Sequence, residues 1–185
     1  MLLIKNVEIF DPRSIGKKNI FICFDKIAYI SQRINIPDKN FPQVEILDGT
    51  GLKAIPGLID LHIHINGGGG EGGFYNRTPE LGLTKFTLNG VTTCVGLLGT
   101  DGITRNMEGL LAKAQALQSE GISTYCWTGC YDVPTRTLTD SVRGDIITVD
   151  KIIGAGEIAV SDHRGSHPSD EDLIHLACET RVGGL

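Results

Sequence analysis

The chain has 185 residues, 17 basic and 22 acidic side chains, a formal net charge of −5 and 41% hydrophobic residues. That is ordinary globular material, long enough for one domain or one domain with an appendage. The mild acidity argues against a nucleic-acid partner and against an anionic membrane surface. No apolar stretch approaches the ~20 residues of a membrane span.

The N-terminal MLLIKNVEIF has no basic leader, apolar core and cleavage site in series, so a cytoplasmic protein is expected. Residues 3–10 read as a strand broken by Asp11-Pro12. Asn19 to Phe24 and Lys26 to Ile30 read as partner strands joined by a tight turn at Asp25-Lys26. Pro37 and Pro42 interrupt the next stretch, and Val44 to Gly49 makes a last strand and turn. These segments predict a small antiparallel sheet.

After Pro56 the pattern changes to strand–helix alternation. Leu58 to Ile65 is a near-continuous apolar run, expected to be buried on both faces as in a parallel sheet. Thr78 and Pro79 open a predicted helix to Asn89-Gly90. Val91 to Leu98 is a second strand, and Arg105 to Glu120 a helix with Leu110, Leu111, Ala114 and Leu117 at helical spacing. Ile122 to Thr128 is a third strand. Glu157 to Val160 reads as a short fourth, and the intervening 145–153 mixes both characters. Ser169-Asp170-Glu171-Asp172 has capping-box spacing and opens a last helix. Repeated β-α units imply a parallel α/β fold, either a barrel or a doubly wound sheet. Cys23, Cys94, Cys126, Cys130 and Cys178 are odd in number and scattered, which suits reduced thiols. Cys126 and Cys130 read better as small buried residues than as a metal pair.

The sharpest chemical feature is Asp60-Leu61-His62-Ile63-His64. Residues i and i+2 of a strand share a face, so two imidazoles there can converge on one zinc-like ion. A glycine loop, 67–73, follows with Glu71 as its one charge, able to bring backbone close to a ligand. No Lys-Ser/Thr follows it, so it is not a phosphate loop. Glu157, among small and apolar residues, reads equally as a carboxylate with a cationic partner such as a metal or as an edge-strand glutamate facing water. Ser161-Asp162-His163-Arg164 is a polar cluster at a strand end. His163 is a candidate ligand or support there, and Arg164 a bidentate carboxylate clamp. Tyr131 by itself reads as a half-buried tyrosine with an exposed hydroxyl, though it can also donate to a developing oxyanion, and Gly99-Thr100-Asp101 can contact ligand.

Together, Ala54 to His64, the loop through Glu71, Gly96 to Asp101, Thr128 to Pro134, Ile158 to Arg164 and Glu179 to Gly184 resemble the isoaspartyl dipeptidase family of the amidohydrolase superfamily. The resemblance runs from about residue 50 to the end. It implies the first half of a distorted (β/α)8 barrel, about four β-α units over 53–185, with a small N-terminal β-sandwich subdomain over 1–52. It also implies two zinc ions, with His62 and His64 as ligands and Glu157 bridging where the family often has a carboxylated lysine. By the same resemblance Glu71 takes the amino group of an isoaspartyl dipeptide, Tyr131 polarises the scissile carbonyl, Arg164 clamps a carboxylate and Thr100 adds a substrate contact. The full-length protein is expected to be a homo-oligomer. The family's two later histidines and late general acid/base aspartate have no match in these 185 residues, so the chain is expected to be inactive alone. Two other readings stand beside this one. A cyclic-amide hydrolase of dihydroorotase or hydantoinase type fits less well, because the Glu71 loop suits a free amino group. The other is a non-catalytic half-barrel used for binding or assembly.

Overall fold

The computed structural model describes residues 1–35 and 43–185, so the expected breaks at Pro37 and Pro42 lie outside the described residues. The chain divides into two units, Met1–Pro56 and Gly57–Leu185.

The first unit is one sheet of β1 (Leu2–Asp11), β2 (Arg13–Cys23), β3 (Lys26–Ser31), β4 (Glu45–Asp48) and β5 (Lys53–Ala54). Its order is β3-β2-β1-β4, with β5 also beside β1. The first three strands pair antiparallel, as expected. The turn between β2 and β3 falls one residue early, with Phe24 in the left-handed region at φ 54°. β4 and β5, however, run parallel to β1, so the sheet is mixed and not antiparallel. A parallel neighbour needs a long connection, and the chain through β2 and β3 provides it. Alternation along β1 turns Leu3, Val7 and Ile9 inward, where Val7 and Ile9 pack with Ile20.

The second unit alternates β6 (Leu58–Ile63), α1 (Leu83–Thr87), β7 (Val91–Gly96), α2 (Met107–Ser119), β8 (Ser123–Thr128), α3 (Val142–Thr148), β9 (Ile152–Ala155) and α4 (Asp170–Gly183). The four strands lie in sequence order β6-β7-β8-β9 and are all parallel. This is a mixed α/β protein with an N-terminal sheet unit and four successive β-α units of a partial barrel. The core gathers Ile65, Phe86, Cys94, Leu98, Leu110, Ala114, Leu117 and Cys126 between the helices and the sheet. Full burial of each large apolar side chain there contributes about 1.5–3 kcal/mol. Leu110, Ala114 and Leu117 are the inward stripe of α2, while Leu111 is only half-buried. All five cysteines are free thiols. Burial pushes Cys94 up to about 11 and Cys126 up to about 12, so neither is a thiolate ready for a metal.

Three local expectations change. Helix α1 starts at Leu83, not Thr78, because the Thr78 hydroxyl is spent elsewhere: it accepts from Gly68 N at 2.8 Å and donates to Gly68 O at 3.1 Å. The fourth strand is Ile152–Ala155, and Glu157 lies beyond its end. Finally, β6 is not buried on both faces. Among the described residues it pairs only with β7, and Leu58, Ile59 and Leu61 are exposed. An edge strand has one partner, so its apolar run does not by itself report burial.

Candidate active site

The loops that leave the C-terminal ends of the strands are stitched side by side. Leu97 N donates to Ile63 O at 3.2 Å, Tyr131 N to Gly99 O at 3.3 Å and Ala159 N to Tyr131 O at 3.1 Å. Ser166 Oγ accepts from Val133 N at 2.9 Å and ties the loop carrying Arg164 to the loop carrying Tyr131. Side chains separated by up to about a hundred residues are thereby held at one end of the sheet.

His62 projects from β6, and His64 follows its last residue. Their rings stand 5.7 Å apart and nearly perpendicular. Glu157 reaches them from the far edge of the sheet. Its Oε2 is 3.2 Å from His62 Nε2 and 3.7 Å from His64 Nε2. The three donor atoms all lie within 4.8 Å of one another, close enough for one ion to contact them all. His64 Nδ1 sits 3.2 Å from the Leu97 carbonyl. That contact makes Nδ1 the protonated nitrogen and leaves Nε2 with its lone pair directed at Glu157, the arrangement a metal-ligating imidazole needs. Gly99 makes the fit possible, since a Cβ there would stand 2.9 Å from His64 Cε1. The donor set therefore suits a divalent ion with nitrogen and oxygen ligands, such as zinc.

Beside these donors lies a polar pocket lined by His64, Gly67–Gly69, Glu71, Gly99, Thr100, Asp101, Arg105 and Tyr131. Thr100 Oγ1 donates to Glu71 Oε1 at 2.8 Å, and Arg164 Nη1 stands 3.5 Å from the same oxygen. The Thr100 hydrogen bond, with help from the Arg164 and Arg105 cations, holds the Glu71 carboxyl below the ordinary carboxylate range. Arg164 itself is aimed by Asp162, which accepts from Nε at 2.9 Å and from Nη2 at 2.6 Å. Its guanidinium lies 5.6 Å from the Tyr131 ring centre. Burial, and then the neighbouring Glu157 carboxylate, push the Tyr131 hydroxyl above the ordinary phenol value. Tyr131 thus stands between the two groups, under the influence of Glu157 on one side and Arg164 on the other.

The structure places His62, His64 and Glu157 together, and Glu71, Thr100 and Arg164 together, with Tyr131 between. His163 is outside: it is 89% exposed and leans on Asp162 at 3.4 Å. Two contributors escape a residue-type search. Arg105 reads as the start of a helix, but α2 begins after it, capped by Asn106, and the Arg105 side chain turns back under the glycine loop. Asp145 reads as ambiguous, yet it is fully buried and accepts from Thr128 Oγ1, Leu138 N, Thr139 N and Thr139 Oγ1. It holds the loop that leaves Tyr131. An Asp-x-x-x-Arg spacing at a strand-to-helix junction was the available signal for Arg105; nothing local marks Asp145.

Parallel β-α units with polar groups gathered in the loops at the C-terminal strand ends are the arrangement in which (β/α)8 barrel enzymes carry their active sites. Solved structures show what the chain is similar to. Beta-aspartyl dipeptidase from Fervidobacterium islandicum AW-1 is 50% identical, with a TM-score of 0.92 over 99% of this chain and 49% of that one. The same protein in complex with a beta-Asp-Leu dipeptide matches equally well. A D-hydantoinase from Thermus sp. is 22% identical with a TM-score of 0.63, a likeness of fold alone. Among curated proteins, a dihydroorotase from Aquifex aeolicus is 29% identical over 181 residues, 96% of this chain and 39% of that protein. One from Streptococcus thermophilus is 27% identical over 165 residues. No family model matches. The chain thus resembles the beta-aspartyl dipeptidases of the amidohydrolase superfamily and spans about half of their length.

Proposed function

We propose that this chain carries the first metal position and much of the substrate pocket of a metal-dependent β-aspartyl dipeptidase. The observation that carries the reading is the convergence of His62, His64 and Glu157 beside a pocket lined by Glu71, Thr100 and Tyr131, with Arg164 Nη1 3.5 Å from the Glu71 carboxylate. His62, His64 and Glu157 are the residues that would hold zinc, and Glu157 is the carboxylate that would stand where the resembling family often has a carboxylated lysine. Metal bound there supplies hydroxide near neutral pH and polarises a carbonyl.

The chain's own side chains do the rest. Glu71, its carboxyl held below the ordinary carboxylate range, takes the free amino group of an isoaspartyl dipeptide. Thr100 fixes the direction of that carboxylate. Arg164 has Nε and Nη2 committed to Asp162, so Nη1, 3.5 Å from Glu71 Oε1, is the atom left to reach a substrate carboxylate beside Glu71. Tyr131 keeps its proton and donates to the oxygen of the amide carbonyl as charge develops on it. The dipeptide bound by the solved relative supports this substrate class. The curated relatives named dihydroorotase favour a cyclic amide instead, but a ring amide has no ammonium for Glu71.

Only one cluster of metal donors occurs among the described residues. The second metal's histidines and the general acid/base aspartate that the resemblance implies have no match in these 185 residues, and the 185-residue chain alone should not turn over β-Asp-Leu in the presence of zinc. Zinc content by mass spectrometry tests the metal site. The wild-type chain should retain the ion after desalting and a His62→Ala/His64→Ala double variant should lose it; full metal content in that variant refutes the assignment.

A further inference from the structure

The Glu71 loop consists largely of glycines, and nothing in such a sequence fixes where a carboxylate in it will point. We propose that Asp101 and Arg105 are the positioning residues for the substrate amino group: they fasten the glycine loop from beneath and thereby hold the Glu71 carboxylate against Thr100. The inference rests on the dipeptidase reading for the identity of the ligand, but not for the geometry.

Arg105 is 9% exposed although it carries a full charge. Its Nη2 donates to Gly68 O at 2.9 Å and to Thr78 O at 3.3 Å, and its Nη1 to Gly69 O at 3.4 Å. One planar fork thus gathers three carbonyls from both arms of the loop, a geometry that an ammonium point charge does not reproduce. Asp101 balances it. Its Oδ1 accepts the amides of Ile103 and Thr104, and its Oδ2 faces Arg105 at 3.4 Å and Arg77, on the loop's outgoing arm, at 3.1 Å. The loop in turn is shaped to receive the fork. Gly69 pairs with Arg77 across a short antiparallel bridge, and Thr78 N donates to Gly68 O at 2.9 Å. Gly67 has φ 89°, and a Cβ on it would stand 2.5 Å from Thr78 O and 3.3 Å from Arg105 Nε. Gly69 has φ 74°, and its Cβ would meet Asn76 O at 2.6 Å. Both positions therefore need glycine for conformation and for space. Glu71 follows directly from this fastened stretch, and the cations facing it are Arg164 and Arg105.

Arg105→Lys tests the idea because it keeps the charge and loses the fork. Amide exchange and a carbon-detected titration of Glu71 are read in the zinc-loaded chain. Loss of charge-assisted bonds should cut protection of the Gly68 and Thr78 amides by about tenfold or more, while Leu110 and Leu117 of α2 keep theirs. The Glu71 midpoint should rise toward that of an ordinary glutamate as its Thr100 hydrogen bond is lost. An Arg105 that merely stabilises the fold would lower protection in α2 as well or leave the Glu71 titration unmoved, and either result overturns the proposal. If Arg105→Lys does not fold, Thr78→Val removes the hydroxyl bridging Gly68 without altering any charge and is read by the same two measurements. The substrate reading is tested apart from this, by comparing binding of β-Asp-Leu with succinyl-Leu, which lacks only the amino group. A wild-type chain that binds both equally defeats that reading, and the exchange and titration still decide the loop.

Discussion

A histidine is readied to ligate a metal by what holds its other nitrogen, and for the candidate ligand His64 that is a main-chain carbonyl. Leu97 O fixes the His64 tautomer, and the bare Gly99 leaves the ring room to turn toward Glu157. Gly99→Ala pushes a methyl into His64 Cε1. Zinc affinity, read by competition with a chelator, should fall by about 10- to 100-fold, the usual effect of disturbing a ligand's support, with little change in melting temperature. Asp101 makes a second prediction at this scale. Burial raises its pKa, but hydrogen bonds from the Thr104 hydroxyl, from the Thr104 and Ile103 amides and from Arg77 outweigh burial and hold the carboxyl well below the ordinary range. A carboxylate depressed in the folded state stabilises it above the unfolded pKa and loses that contribution as pH falls. Stability should therefore drop as pH falls from about 5, through the unfolded pKa near ~4 and below. Asp101→Asn should flatten that part of a denaturation-against-pH curve, and an unchanged slope would contradict the assignment. His62, His64 and the polar strand ends could be picked out from residue type because each is a chemically costly group in an apolar context. Gly99 and the Leu97 carbonyl could not, since backbone atoms and missing side chains carry no chemical signature in a sequence.

The elements of the second unit follow from pattern wherever both ends carry a stop signal. The Ser169 capping box opens α4, with Ser169 Oγ accepting from Asp172 N and Asp172 accepting from Ser169 N, and the period of Leu110, Ala114 and Leu117 builds α2. The expectation for α1 failed at its start, because Thr78 has a better use as the strap of the glycine loop than as a cap. The fourth strand was misplaced for a related reason. Ile152–Ala155 is only four residues long, and Ile158 to Val160 beyond it has a similar apolar character. Asp145 shows what an element owes to a long-range contact. It lies in α3 and satisfies two backbone amides of the preceding loop and the Thr128 hydroxyl of β8. Asp145→Ala leaves those buried donors without partners, at about 1–3 kcal/mol for each group left unsatisfied. Chemical denaturation should register a loss of about 3 kcal/mol or more. A loss below about 1 kcal/mol would show that water replaces the carboxylate.

The sheet of the second unit ends in strands paired on one side only, β6 and β9, and β6 exposes Leu58, Ile59 and Leu61. An apolar edge of that kind is a ready surface for association. The purified chain should bind a hydrophobic dye and scatter light increasingly with concentration, and Ile59→Lys should lower both signals. Equal signals in the two proteins would place the sticky surface elsewhere. No helix among the described residues is long and apolar enough to cross a membrane, in keeping with the apolar runs of the sequence. The order of strands and helices, the change of character after Pro56 and the choice of His62 and His64 as candidate metal ligands are properties of local pattern. Period, caps and costly polar groups are written within a few residues, and so the sequence determined them. The parallel pairing of β4 with β1, the exposure of β6, the meeting of Glu157 with His62 and His64 across the sheet and the fork of Arg105 under the glycine loop are different in kind. Each joins groups from distant parts of the chain, where strand register and the packing of one loop on another set the distances. Only the folded chain holds that information, because no local preference records which partner a buried charge or an edge strand will find.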